Sequence, residues 1–263
     1  MRVLIVNADD FGLSPGVNQG ILEAHRRGPV TSTTVLANAP HAPAAVEAAA
    51  DCPGLGFGVH LTLTCGRPLV PATCALLLGE RGLFRRPRGR PGEPYPRTLG
   101  RHFAALPFAA LLIELGAQVE QVLAWGVPIQ HVDSHHYLEC EPRLARAIGL
   151  VAAGYGLAAR ASRPRARCIL RGLGVATPDY FLGGWYGPEA TWGGLTRRLA
   201  RLPGGVGELA CHPGVADAEL RGVSSYLEGR EQELALLTRE ELGPLLARRG
   251  VRLGHFGELG QGR

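Results

Sequence analysis

Residues 1–20 read MRVLIVNADDFGLSPGVNQG. Val3 to Val6 form a short apolar run without polar alternation, the pattern of a strand buried on both faces. After it, Ser14 is placed to cap a helix with Pro15 at its first position. Val17, Ile21, Leu22 and Ala24 then recur at helical spacing until Gly28 and Pro29 end it. A strand followed by a capped helix is one βα unit. No G-x-G-x-x-G follows the strand, which removes the main sign of a dinucleotide fold. Two neighbouring carboxylates, Asp9 and Asp10, stand where the buried strand comes to the surface, and they need a reason.

The same alternation continues along the chain. The segment 31–37 (TSTTVLA) is rich in β-branched residues, and 42–50 (APAAVEAAA) is a run of good helix formers. A third strand is predicted at 55–63, a long helix at 108–126, a strand at 128–136, a helix at 142–156 and a short strand at 157–161. Beyond 163–190, a Gly-, Pro- and aromatic-rich stretch that resists assignment, TWGGLTRRLARL reads as helical and 205–214 (GVGELACHPG) as a strand ending in a turn. Thr238 and Glu241 read as a capping box that opens a last helix before a strand at 251–256. Strands alternating with helices imply parallel pairing through right-handed crossovers. With seven or so units in 263 residues, the expectation is α/β: a single domain over 1–263, a distorted TIM-like (β/α) barrel with a mostly parallel sheet.

Composition narrows the function. The net charge is +5, and all 28 basic residues are arginine, so Schiff-base chemistry and a Walker lysine are excluded. Arg81, Arg85, Arg86, Arg88, Arg90, Arg97 and Arg101 crowd into 79–101, where aromatic residues for stacking on bases are scarce. This reads as a structured loop near an active site, not a nucleic-acid surface. Cys52, Cys65, Cys74, Cys140, Cys168 and Cys211 show no C-x-x-C spacing, so they are expected to pack as small reduced apolar residues. No run of about 18 apolar residues is present, and acids follow the first short apolar run at once. The expectation is a cytoplasmic protein with no membrane span and no nucleic-acid partner; a homo-oligomer is compatible with the sequence.

Polar residues gather at predicted strand ends: Asn7, Asp9 and Asp10 after the first strand, His60 in the third, Asp133, His135 and His136 after the fourth, and His212 after GELAC. In a parallel barrel these ends share one face, where such folds build active sites. Taken singly, Asp9 or Asp10 is compatible with a turn, His60 with a satisfied core position and His135 with His136 in a turn. Together, a carboxylate and two imidazoles converging there suit a divalent metal with open positions.

The motifs NADDFG, TSTT, GVHLTL with TCGRPL, HVDSHH and CHPG, in that order across nearly the whole chain, resemble the YdjC-like (ChbG) carbohydrate deacetylases. The resemblance implies a distorted (β/α) barrel that removes acetyl groups from N-acetylated amino sugars with one divalent ion, magnesium or zinc. By resemblance, the metal ligands fall on Asp10, His60 and His135, and the base falls on Asp9. His212 is then assigned as the general acid, facing the metal across the substrate and opposite Asp9. Asp133 is assigned to orient a neighbouring imidazole, and Arg160 and Arg67 to contact sugar hydroxyls. Where relatives read DSHHHVH, this chain reads DSHHYLE. Tyr137 and Glu139 therefore replace two histidines, at positions expected near the pocket mouth. Two other readings compete. One is a metal-dependent phosphoesterase with the arginine-rich loop clamping phosphate; the other is a non-catalytic glycan-binding relative.

Overall fold

A computed structural model describes residues 1–259. Its strands are β1 (Arg2–Phe11), β2 (Ser32–Val35), β3 (Gly56–Leu61), β4 (Ile129–Ser134), β5 (Ala158–Ala159), β6 (Tyr180–Leu182), β7 (Gly205–Cys211) and β8 (Val251–Gly254). All pair in parallel within one sheet of order β5-β4-β3-β2-β1-β7-β6. β8 pairs with Arg2–Ile5, on the edge of β1 opposite β7. The helices are α1 (Pro15–Arg27), α2 (Ala42–Ala48), α3 (Tyr95–Phe103), α4 (Phe108–Ala124), α5 (Pro142–Gly154), α6 (Pro164–Gly172), α7 (Trp192–Ala200), α8 (Ala218–Val223), α9 (Glu228–Leu237) and α10 (Leu242–Arg248). The sheet curls into the distorted TIM-like barrel expected from the sequence. Its closure is irregular. The two ends of the strand order, β5 and β6, meet through the chain between α6 and β6. There Ala159 N donates to Ala176 O (2.9 Å) and Asp179 N to Val206 O (2.7 Å).

Local signals explain most of the elements. Ser14 Oγ accepts from Val17 N (3.2 Å) and starts α1, as the sequence implies, and Thr191 and Glu141 cap α7 and α5 in the same way. Gly12 is obligatory between β1 and α1. Its φ is +97°, and a Cβ there would lie 2.7 Å from Ala42 Cα. The unassigned 163–190 stretch contains α6 and the three-residue β6, too short to show a period. The arginine-rich segment ends in α3, with Arg101 turned back onto Glu93 (2.8 Å). The capping box at Thr238 is not formed. Thr238 follows the end of α9 and its hydroxyl donates backwards to Leu234 O (2.9 Å), while α10 starts at Leu242 without a side-chain cap. The helices α8 and α9 escaped the sequence reading. Among the described residues, no single helix is long and apolar enough to cross a membrane.

One irregularity positions the site. Between the paired positions Ala8↔Thr33 and Phe11↔Val35, β1 holds two residues, Asp9 and Asp10, where β2 holds only Thr34. This is a β-bulge, with Asp10 at φ +73°. Regular alternation would send neighbouring side chains to opposite faces; the bulge lets both acids face the interior. Asp is among the few non-glycine residues that tolerate this conformation.

Since Ser14 caps α1 and Thr238 caps nothing, Ser14→Ala should lower unfolding free energy by about 1 kcal/mol. Thr238→Ala should cost less than about 0.5 kcal/mol, the range of an ordinary surface change. Denaturant titration of the two variants checks this, and comparable losses would restore the capping box.

Candidate active site

At the C-terminal ends of the strands lies a cavity of about 570 Å³, lined among others by Asp9, Asp10, His60, His135, His136, His212 and Arg230. Beneath it Arg160 is only 1% exposed. Its Nη1 and Nη2 each donate to one oxygen of Asp9 (2.7 Å both), Nη1 also meets Asp133 Oδ2 (2.9 Å), and Nε donates to Glu208 Oε1 (2.6 Å). Burial alone would raise the Asp9 pKa, but the bidentate guanidinium outweighs it and holds the carboxyl far below the usual carboxylate range. Glu208 has the poorer share of that charge, and burial pushes it up to about 8. Arg160 does not line the cavity. The sugar contact expected of it is thereby corrected: its donors are turned to three buried carboxylates below the site. Arg67 is exposed and also outside the cavity lining.

Above this layer, Asp10 Oδ1 lies 2.9 Å from His135 Nδ1 and 3.3 Å from His60 Nε2, and the two ring nitrogens are 3.3 Å apart. The three residues form a group close enough together to hold a metal ion. Bonds of about 2.0–2.1 Å to one ion put neighbouring donors about 3 Å apart, so the triangle already has the right size. The His60 ring is fixed from behind, its Nδ1 2.7 Å from Asp133 Oδ1 with Thr34 Oγ1 beside it at 3.2 Å. A carboxylate on one imidazole nitrogen sets the tautomer that leaves the other nitrogen free to coordinate. The pairing follows from the register, since His60 sits opposite Asp133 across β3 and β4. Burial opposes the charged imidazole, but Asp133 and Asp10 raise His60 well above its ordinary value. Asp10 likewise raises His135 to about 9, against burial. A second group, Asp9, His60 and Asp133, is also close enough to hold an ion, but its two acids are already engaged by Arg160.

His212 follows β7, whose Cys211 pairs with Ala8 of β1. That register sets His212 beside Asp9, with Nε2 3.7 Å from Asp9 Oδ2, and not opposite it as the sequence reading expects. Its backbone N–H donates to Glu233 Oε2 (2.6 Å) and its Nδ1 lies 3.8 Å from Glu233 Oε1. Tyr226 donates to the same carboxylate (2.6 Å) and stacks on Tyr186, which is 49% exposed and lines the cavity. Tyr137 also lines the cavity. Glu139 does not reach the mouth: it is buried, accepting from the Ser134 hydroxyl, and burial raises its pKa. Arg86, Pro87 and Tyr95 bring the arginine-rich segment to the rim. Cys52, Cys74 and Cys211 are buried as expected, whereas Cys168 is exposed and Cys65 lines the cavity.

The reading from sequence missed Glu208, Arg230 and Glu233. Glu208 left a signal, a charge inside the apolar GELAC run of β7. Arg230 and Glu233 stand on α9, an element whose helical period was not recognised, and their i, i+3 spacing puts both on one face.

Fold and site together define a (β/α)-barrel protein with an Asp-His-His cluster at its strand ends. Residues 3–248 match the profile of the YdjC-like proteins. The chain is 38% identical over 253 residues to a carbohydrate deacetylase of Geobacillus stearothermophilus, covering 96% of each. It is 35% identical to one of Thermoanaerobacter pseudethanolicus, over 92% of this chain and 93% of that one. The solved structure of an Enterococcus faecalis protein, described as a candidate cellobiose-phosphate cleavage protein, is similar with a TM-score of 0.88 at 31% identity, covering 98% of each chain. The chain belongs to the YdjC-like family.

The raised His135 pKa has a definite sign. With a folded value of about 9 against 6.5 unfolded, its stabilisation is complete below pH 6.5 and is lost as pH rises towards 9. In chelator-treated protein the unfolding midpoint should therefore fall across that window, and His135→Gln should flatten the fall. An unchanged slope in the variant would remove His135 as its source.

Proposed function

We propose that the protein is a metal-dependent carbohydrate N-deacetylase, removing the acetyl group of an N-acetylated amino sugar. The observation that carries this reading is the triangle of Asp10 Oδ1, His60 Nε2 and His135 Nδ1 on the cavity floor, with a second carboxylate, Asp9, kept off it by Arg160. The naming of the Geobacillus and Thermoanaerobacter relatives as carbohydrate deacetylases supports it. Asp10, His60 and His135 would hold one divalent ion, magnesium or zinc, of which zinc suits the two imidazole donors better. Such an ion, when bound, polarises a carbonyl and makes water acidic enough to attack near neutral pH.

The remaining steps belong to the chain. Asp9 takes the proton of the attacking water; Arg160 keeps it ionised and fixes its oxygens, and Asn7 Nδ2 steadies Oδ1 (2.8 Å). His212 gives a proton to the departing amine, and its backbone N–H, held by Glu233 Oε2 (2.6 Å), keeps it in place. Asp133 keeps the His60 tautomer. The exposed face of Tyr186 offers the apolar side of a sugar ring a surface to pack on. A neighbouring cavity of about 400 Å³ shares Tyr95, Tyr137 and Gly184 with the first, giving room for a second sugar unit.

Replacement of Asp10, His60 or His135 by Ala should remove most bound metal and the activity together. Asp9→Asn should keep the metal but lose about two to four orders of magnitude in turnover. Elemental analysis beside acetate-release assays on N-acetylated glucosamine oligosaccharides decides the matter; metal loss in Asp9→Asn would reverse the roles of the two acids.

His212→Ala should lower turnover on amides far more than on an activated acetyl ester, whose leaving group needs no proton. Equal losses on the two substrates would make His212 a positioning residue.

A further inference from the structure

Arg230 is 3% exposed, yet it lines the cavity and stands against the metal-ligand candidate Asp10. Its Nη2 donates to Asp10 Oδ2 (2.5 Å) and its Nε to Tyr226 O (3.2 Å), while the guanidinium lies 5.7 Å from the centre of the Tyr226 ring. Nη1, with two N–H donors, has no hydrogen-bond partner among the described residues although it is buried. Buried donors are ordinarily satisfied, and a charged one more strictly than a neutral one. Orienting Asp10 requires a single N–H, so the second arm of the fork is surplus to that task.

The surroundings hold this arm in place. Gly214 of the CHPG turn packs between Val17 and Arg230, where a Cβ would lie 3.3 Å from Arg230 Cδ and from Val17 Cα. Gly214 N also donates to Arg230 O (3.3 Å). The CHPG turn that carries His212 thus also positions Arg230. The guanidinium is locked to a carboxylate, to a backbone carbonyl and under a glycine, and one donor pair is left over beside the reaction site.

We infer that Arg230 Nη1 is the donor that receives the acetyl carbonyl oxygen as it becomes negatively charged, which makes Arg230 a catalytic residue of the deacetylation. The inference rests on the deacetylase reading above. When the water oxygen bonds to the carbonyl carbon, the C=O π pair moves onto the oxygen and the water proton goes to Asp9. Nη1 then meets the full negative charge. Collapse re-forms the C=O bond, breaks the C–N bond and sends its electron pair to the nitrogen, which takes a proton from His212. The acetic acid so formed passes its remaining proton to the released amine, and the resulting acetate shares its charge with the oxygen in that place, so Arg230 also accounts for product binding. A preorganised donor in a site sheltered from water acts mainly on turnover, because the ground-state carbonyl carries little charge.

The test compares wild type with Arg230→Gln and Arg230→Lys. Arg230→Gln should lose about 10²–10³-fold in kcat on an N-acetylated glucosamine oligosaccharide, the range for one oxyanion donor, with KM changed less than about threefold. Metal content by elemental analysis should equal wild type, and acetate affinity by calorimetry should weaken about tenfold. Arg230→Lys keeps the charge and the stem, and should fall between the two in kcat. Activity lost only in step with metal would mean that Arg230 acts through Asp10 and would overturn the inference, as would a kcat near wild type. Failure of both variants to fold would make the residue structural and overturn it as well. If wild type releases no acetate from any N-acetylated sugar, it is the deacetylase reading that fails; an acetate affinity unchanged by Arg230→Gln separately removes the donor role.

Discussion

A guanidinium without access to water dictates the architecture of this site. Removing one partner of a buried ion pair typically costs about 3–5 kcal/mol, because the remaining charge has no solvent to turn to. Arg160 meets this constraint with three carboxylates drawn from three strands: Asp9 on β1, Asp133 on β4 and Glu208 on β7. β1 and β7 pair directly, but β4 is separated from β1 by β2 and β3, so Arg160 ties distant parts of the curled sheet together from inside, where β5 and β6 fail to pair directly. Holding Asp133 also sets the far side of His60, which reaches the cavity with its other nitrogen. One buried cation therefore fixes both a carboxylate that stays off the triangle and the imidazole that belongs to it.

The β-bulge divides the work of the two adjacent acids. Asp9 continues the inward alternation of Ile5 and Asn7 and points down to Arg160, while Asp10, turned by its positive φ, points to His60, His135 and Arg230. Neighbours in the chain thus face different cations. Both are held ionised, Asp9 chiefly by Arg160 and Asp10 chiefly by Arg230, each against the effect of burial. Below them the barrel interior turns from polar to apolar. Asn7 Oδ1 meets His131 Nε2 (3.0 Å), and the His131 ring lies flat on Phe256, which packs with Ile5 and Ala158. This largely apolar floor lowers the polarity beneath the charged layer and so strengthens its interactions.

Much of this was legible in the chain itself, wherever the deciding physics is local. Apolar runs bounded by caps announce a strand or a helix, and their alternation leads to a parallel barrel, because βα units have few other ways to bury both faces of their strands. A parallel barrel then gathers its strand ends on one face, which is how Asp9, Asp10, His60, Asp133, His135 and His212 could be grouped without coordinates. Local patterns misled where another contact satisfied the same group. Thr238 had the spacing of a capping box, yet its hydroxyl was taken by the preceding turn of α9.

Register, burial and side-chain direction were decided only by the tertiary structure. Nothing near Arg160 in the chain distinguishes it from the other arginines; only its enclosure by β1, β4 and β7 turns it from a sugar contact into the counter-charge beneath the site. His212 stands next to Asp9, not opposite it, because Cys211 pairs with Ala8 across two strands just over two hundred residues apart in the chain. Glu139, polar and near a motif, is buried behind Ser134. The sequence by itself determined which chemical groups arrive at the strand ends, since alternation and capping are properties of neighbours. The fold decided which group faces which, since that depends on the relative shift of strands and on a single bulged residue, and electrostatics in a buried layer changes sign over a few ångströms.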